Sequence, residues 1–326
     1  MSTQIPARFI IKESLSLFSS VAFPLPHPLL IQPFSRDGTH RPAACRDWGC
    51  HIARCRCSSL PLHHSIPPHL LLLLEIQGRM GRSHRRVSRH RRGLHKMDII
   101  ASEVSSTYGV KTHVTCFDFG SADLAAYAAL KTELAPLAPK ILVNNVGVNV
   151  EFPTDFVEMD PADVDRIVRI NITSINKMTA MLLPAMIAAK KGIVFCLSSG
   201  GGAVTPAPLL APYSGTKSYA DSFAVSLSGE VVDKGVQVCS LTPFFVESAM
   251  AKMRKSFTVP SANDFANKAL NQVCVSPRVS PHWVHAIMAG AVTLLPLKAQ
   301  VSYVTNLHRS IRTRALKKKE RLAKEN

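Results

Sequence analysis

Apolar positions along the chain follow two regimes that meet near residue 97. Before that point Pro, His, Ser, Cys and Arg dominate, prolines interrupt the apolar runs, and no helical or strand period persists, so residues 1–96 are expected to be a low-order N-terminal segment. After it the pattern is regular. Residues 98–108 have the spacing of a short amphipathic helix, and residues 111–117 alternate and are rich in β-branched side chains, which predicts a strand. Residues 122–134 form the next expected helix and 141–143 a short buried strand. A long helix is expected over 161–189, with Asp160 as its cap and Pro161 in its first turn. Strands are expected at 192–197 and 236–241, around a long helix over 213–234 that Gly235 closes. Continuous apolar strands alternating with helices point to a parallel sheet covered on both faces, an α/β doubly wound arrangement of Rossmann-like type.

Charge refines this division. The formal net charge of +17 would suit nucleic acid or an anionic membrane, but much of the excess sits in two runs, residues 79–96 and 309–324. Three segments follow: a low-order stretch 1–96, a folded domain 97–308 and a basic tail 309–326. The first run could bind RNA, although no aromatic residues interleave its arginines as base stacking would require. Cys45, Cys50, Cys55 and Cys57 lie close together, yet their spacing lacks the paired Cys-x-x-Cys of structural zinc sites, and no metal is expected. Cys116, Cys196, Cys239 and Cys274 are scattered and read as small buried hydrophobes. No apolar run reaches the length of a membrane-spanning helix. Residues 283–297 are the longest candidate, fitting either a membrane-dipping segment or an apolar surface packed on the domain. Pro24, Pro26 and Pro28 interrupt the apolar stretch that a signal peptide would need.

Candidate chemistry falls in a fixed order. Asn144-Asn145-Val146-Gly147 follows the 141–143 strand, Asn171 lies inside the long helix, Ser198-Ser199 ends the next strand, and Tyr213 and Lys217 open the helix after it. Tyr213 and Lys217 are four apart and project from one helix face. Reduction of a ketone by hydride needs a proton donor for the developing alkoxide. A tyrosine with pKa about 10 is sluggish at neutral pH, and a nearby ammonium is expected to lower that pKa. Lys217 can supply the ammonium, Ser199 can hydrogen-bond the carbonyl, and Asn171 can hold a relay water.

Asn-Asn-x-Gly, Asn, Ser and Tyr-x-x-x-Lys, in this order and at these separations, resemble the short-chain dehydrogenase/reductase family. Val146 in the first motif, Glu151-Phe152-Pro153, Pro206-Ala207-Pro208-Leu209-Leu210, Pro243-Phe244-Phe245-Val246 and Ser248-Ala249-Met250 narrow the resemblance. They are similar to the very-long-chain 3-oxoacyl-CoA reductases and the 17β-hydroxysteroid dehydrogenases of type 12, from residue 97 through the basic C-terminal end. The resemblance implies NADPH as cofactor, with NADH as the alternative, and a hydrophobic acyl-CoA or steroid-like substrate. It further implies fatty-acid elongation at the endoplasmic reticulum membrane, and a homodimer. By it Asp118 would contact the adenine, and Asn145, Gly147 and Val246 would line the cofactor beside Tyr213 and Lys217. Ser199 stands one residue further from Tyr213 than is usual in that group, with Ser198 as the alternative.

The first strand–helix–strand unit of the family, with its Thr-Gly-x-x-x-Gly-x-Gly turn for the pyrophosphate, has no counterpart in the sequence. One hypothesis is that residues 79–93 are that turn read in a shifted frame. Shifted by one base, Met80-Gly81 must give Trp, and permitted codons then yield an apolar strand and Thr-Gly-Ala-x-x-Gly-Ile-Gly. Comparison of transcript and genomic sequence tests it, and an unchanged frame in both would end it. Two further readings stay open beside the reductase: an inactive relative that binds no cofactor, and an RNA-binding protein using residues 79–96.

Overall fold

The computed structural model describes residues 85–120, 123–248, 255–272 and 275–325, with side chains from Met97 onward. These residues belong to one compact unit, and it alone is described below. The low-order reading of residues 1–84, the cysteine cluster and the start of the shifted-frame stretch lie outside the described residues.

The elements run α1 (Arg85–Tyr108), α2 (Leu124–Leu134), β1 (Ile141–Asn144), α3 (Pro161–Val168), a π-helical turn (Arg169–Thr173), α4 (Ser174–Ala188), β2 (Gly192–Leu197), a single turn (Gly200–Ala203), α5 (Ala211–Val231), β3 (Val236–Leu241), α6 (Ala262–Asn271), β4 (Arg278–Val279), α7 (Trp283–Thr293) and α8 (Leu297–Lys324). The four strands are parallel in the order β1-β2-β3-β4. The register pairs Asn144 with Cys196 and Leu197 with Leu241, so the carboxyl ends of the first three strands finish side by side.

The period-two alternation of the strands splits their side chains between two apolar layers. Leu142, Val194, Cys196, Val236 and Val238 face α4 and α5, which bring Ile175, Met178, Leu182 and Met186, and Ala220, Ala224, Leu227 and Val231, at helical spacing. Phe195, Leu197, Cys239 and Leu241 face Phe265 and Ala269 of α6. Helices therefore cover both faces of β2 and β3, as a doubly wound sheet requires. β1 differs: Leu142 and Asn144 are buried beneath the helices, whereas Val143 on the opposite face is 36% exposed.

Local signals explain several boundaries. Asp160 accepts from the Ala162 amide with Pro161 at the first helical position, and Asp123 accepts from Ala125 to start α2. The helix expected from residue 98 begins at Arg85. The strand expected at 111–117 is not formed: apart from a bridge at Lys111, this segment carries no ladder. Its alternation is real, but a strand exists through its partner, and among the described residues β1 pairs only with β2. The expected 161–189 helix is continuous in space but widened by the π turn at its middle. Residues 309–324 are the second half of α8, an extension of a helix that starts at Leu297. α6 and β4 were not expected. α6 carries a readable start, Ser261 accepting from the Asp264 amide, whereas the two residues of β4 are too few to show alternation.

Candidate active site

The expected residues converge at the carboxyl ends of β1, β2 and β3. Tyr213 and Lys217 sit in the first turns of α5, 2% and 6% exposed, and Ser199, at the exit of β2, is buried beside them. The Tyr213 hydroxyl is hydrogen-bonded to the Ser199 side chain. Ser198 does not compete for that role, because its hydroxyl donates to the Lys217 carbonyl at 2.6 Å and fastens β2 to α5. Ser199 is held extended, its oxygen accepting from the Gly201 amide at 3.1 Å. The turn that follows requires glycine: Gly202 has φ +140°, and a Cβ there would lie 2.6 Å from the Ser214 carbonyl oxygen.

Asn171 lies in the π turn, which supplies the extra residue that rotates its amide inward, a feature often found at functional positions. The amide Oδ1 accepts from the Val148 amide at 2.7 Å, and Nδ2 donates to the Val148 carbonyl at 3.0 Å and to Thr216 Oγ1 at 2.9 Å. One side chain thus pins the segment after β1 to the helix that carries Tyr213. Gly147 lies between, and a Cβ there would meet Lys217 Nζ at 3.3 Å and Asn171 Oδ1 at 3.6 Å.

Lys217 Nζ donates to the Leu197 carbonyl at 2.7 Å and stands 5.7 Å from the centre of the Tyr213 ring. The expectation that this ammonium lowers the tyrosine pKa is not met. Burial holds the Tyr213 phenol well above its ordinary value, and only the Ser199 hydrogen bond opposes the rise. The reason is geometric: the ammonium lies by the ring and is satisfied by a carbonyl, while the hydroxyl has lost its water. The pull of Lys217 is felt instead at Cys196, whose thiol burial pushes up to about 12 against the Asn144 hydrogen bond and the lysine charge. A phenol kept protonated beside a serine hydroxyl is a proton donor placed for an oxygen that gains negative charge.

The remaining expected positions fall around this centre. The Oδ1 atom of Asn145 is buried without a hydrogen-bond partner, and the residue lines a small apolar pocket of about 30 Å³ with Val143, Leu197 and Phe265. Asp118 is exposed at the end of the unpaired 111–117 segment, and its carboxylate accepts from the Gly120 amide at 2.9 Å. Val246 is 2% exposed and packs into the layer beneath α6. A nicotinamide–ribose unit needs a flat floor, a cation for its hydroxyls and an acceptor for its amide. Gly147, Lys217 and the unpartnered Asn145 oxygen fit it. No glycine turn for the phosphates is found among the described residues.

His285 escaped sequence reasoning. It is fully buried on α7, its Nδ1 accepts from the Phe244 amide at 3.3 Å, and its Nε2 meets the Thr258 carbonyl at 3.1 Å. It ties α7 to the chain after β3, where the Phe244 ring lies against Gly200 next to Ser199. A lone histidine in an apolar helix carries no spacing signal that would have found it.

Comparisons with known proteins bear on the family and the fold. The short chain dehydrogenase family profile matches residues 75–258, more than half of the chain. The chain is 38% identical over 226 residues to a very-long-chain 3-oxoacyl-CoA reductase of Homo sapiens, covering 68% of this chain and 72% of that protein. It is 36% identical over 235 residues to one of Laccaria bicolor, covering 69% of each. A solved 7beta-hydroxysteroid dehydrogenase shares the fold, with TM-score 0.59 over 65% of this chain and 83% of that one at 14% identity. With its parallel sheet, its Ser199–Tyr213 pair and these matches, the chain belongs to the short-chain dehydrogenase family.

Proposed function

We propose that this protein reduces the 3-keto group of a long-chain or very-long-chain 3-oxoacyl-CoA to the 3-hydroxyl, with NADPH as the reductant. The observation that carries the reading is the buried Tyr213 phenol, hydrogen-bonded to Ser199 and backed by Lys217, in a chain over a third identical to reductases of that name. NADPH, when bound, supplies the hydride. The chain's own residues handle the oxygen. Ser199 donates a hydrogen bond to the ketone oxygen and fixes its distance from Tyr213. Tyr213 delivers its proton to that oxygen as charge develops on it. Lys217 would hold the ribose of the cofactor, while Asn145 and Gly147 would line the nicotinamide end. Asn171 keeps one acceptor lone pair on Oδ1, beside Gly147 and Lys217, where a relay water can return a proton towards Tyr213. Asp118 would sit by the adenine and the Val246 backbone by the nicotinamide.

By the same likeness the protein acts at the endoplasmic reticulum membrane as a homodimer, and a hydrophobic ketone or steroid is the second class of substrate. The test is product analysis. Full-length protein incubated with NADPH and 3-oxoacyl-CoAs of increasing chain length should give 3-hydroxyacyl-CoA and NADP⁺ in equal amounts, faster for longer chains. Absence of product at every chain length, from folded protein that binds no NADPH, would establish the inactive-relative reading instead.

A further inference from the structure

α5, the helix that carries Tyr213 and Lys217, has no side-chain cap at its start. Its first turn is set by the segment before it. The Ser214 amide donates to the Leu210 carbonyl at 2.8 Å, and the Ser214 hydroxyl accepts from the Ala207 amide at 3.2 Å. Ala207, Leu210 and Tyr213 pack into one buried cluster with Val148 and Ile167. Within this segment Leu209 sits at φ +65°. A bulky side chain rarely adopts this left-handed backbone, and such a residue persists only where its surroundings over-determine it.

Two contacts from remote parts of the chain hold the turn. The Thr154 amide donates to the Leu209 carbonyl at 2.9 Å. The Pro208 carbonyl meets Nδ1 of His308, 100 residues away on α8, at 2.5 Å. A carbonyl only accepts, so Nδ1 of His308 carries the hydrogen and donates it. His308 is 3% exposed and is the buried residue of α8. One turn further along α8, Arg312 pairs with Glu158 and, at 3.5 Å, with Asp155, in the stretch that follows Thr154. Both carboxylates are half exposed, so this pair orients α8 more than it stabilises it. α8 therefore grips both segments that meet at Leu209.

We propose that His308 is a positioning residue for the reduction: its hydrogen bond to Pro208 holds the left-handed turn at Leu209, and that turn fixes the start of α5 and the place of the Tyr213 hydroxyl. Tyr213 remains the proton donor, and His308 acts through the turn. A displacement of about 1 Å in a proton donor is enough to cost roughly 10²-fold in rate. Binding of substrate and cofactor draws on other elements as well, so the turnover step bears most of the effect. The catalytic part of this inference rests on the reductase reading, whereas the bracing of α5 does not, and two readouts keep them apart.

In the full-length protein, His308→Leu keeps most of the volume and removes the donor, whereas His308→Asn restores an N–H close to the Nδ1 position. With NADPH and a very-long-chain 3-oxoacyl-CoA, His308→Leu should lower kcat and kcat/KM together by at least about tenfold, with KM and NADPH binding within about twofold of wild type. His308→Asn should recover kcat to within about threefold. Amide hydrogen exchange over residues 207–216, measured without cofactor, should quicken at least about tenfold in His308→Leu and return in His308→Asn. If His308→Leu does not fold, His308→Gln, whose amide reaches the Nε2 position and not Nδ1, takes its place in the same comparison. Unchanged exchange over 207–216 overturns the proposal whatever kcat does. Faster exchange with kcat intact in an active enzyme overturns it too, as do equal losses in the leucine and asparagine variants, which would make the site one of shape alone. In a wild type without turnover the exchange result alone decides, and the reductase reading fails by itself.

Discussion

Two ends of the same sheet edge are built to different degrees. At the carboxyl ends of β2 and β3, Ser199, Tyr213 and Lys217 are buried and mutually tied, and Asn171 pins them to the chain after β1 through three hydrogen bonds. At β1 itself, a valine in mid-strand is 36% exposed and the Asn145 side-chain oxygen is buried without a partner. The reacting end is assembled from residues 141–246 of one continuous stretch, by helix–strand contacts between sequence neighbours. The phosphate end belongs, in this family, to an N-terminal strand, glycine turn and helix, and no such glycine turn is found among the described residues. The proton-handling groups and the binding of the cofactor can thus be tested separately.

The largest expected effect is at the reacting end. Lys217→Met keeps most of the stem's packing and removes the charge, so kcat should fall by roughly 10²- to 10⁴-fold with weaker NADPH binding, measured by steady-state kinetics. An unchanged kcat would detach Lys217 from the chemistry. Next is Asn171→Ala, which leaves the Val148 amide and carbonyl and Thr216 without their buried partner. Unfolding in urea should show a loss of about 2–4 kcal/mol, together with a lower kcat. A purely local loss of stability with kcat intact would break the view that Asn171 sets the position of α5.

Acid should act through the histidine staple and spare the reacting end. Burial holds His285 at about 4, against its ordinary 6.5. Below pH about 6.5 the unfolded chain takes up a proton that the folded chain refuses, so stability present at neutral pH is lost as the pH falls towards 4, by on the order of 2–3 kcal/mol. His282 and His308, both also lowered by burial, act in the same direction. Urea midpoints measured from pH 7 to 4 check this, and His285→Gln should flatten the slope. The smallest effect separates the two faces of the sheet: Val194→Ala, at a fully buried position, should cost about 2 kcal/mol, and Val143→Ala less than about 1 kcal/mol. Equal costs would mean that β1 is covered as well as β2.

Most of the reacting end was legible in the sequence because its residues sit at the ends of long, regular elements. The apolar runs of β2 and β3 and the three–four spacing of α4 and α5 placed Ser199, Tyr213 and Lys217 without side-chain geometry. What escaped depended on partners. The alternation at residues 112–117 was strand-like, but no ladder forms there. β4 exists only because β3 lends it an edge. The π turn at Asn171 leaves no period to read, and the high Tyr213 pKa follows from a burial that spacing does not show.

The most direct test of the central claim compares NADPH oxidation by the wild-type chain and by Tyr213→Phe, with a very-long-chain 3-oxoacyl-CoA and with NADPH binding followed in parallel by fluorescence. The account predicts saturable NADPH binding in both proteins, substrate-dependent oxidation by the wild type, and a rate at least about 10²-fold lower in the variant. Equal rates in the two proteins, or no saturable NADPH binding by folded wild type, would contradict it.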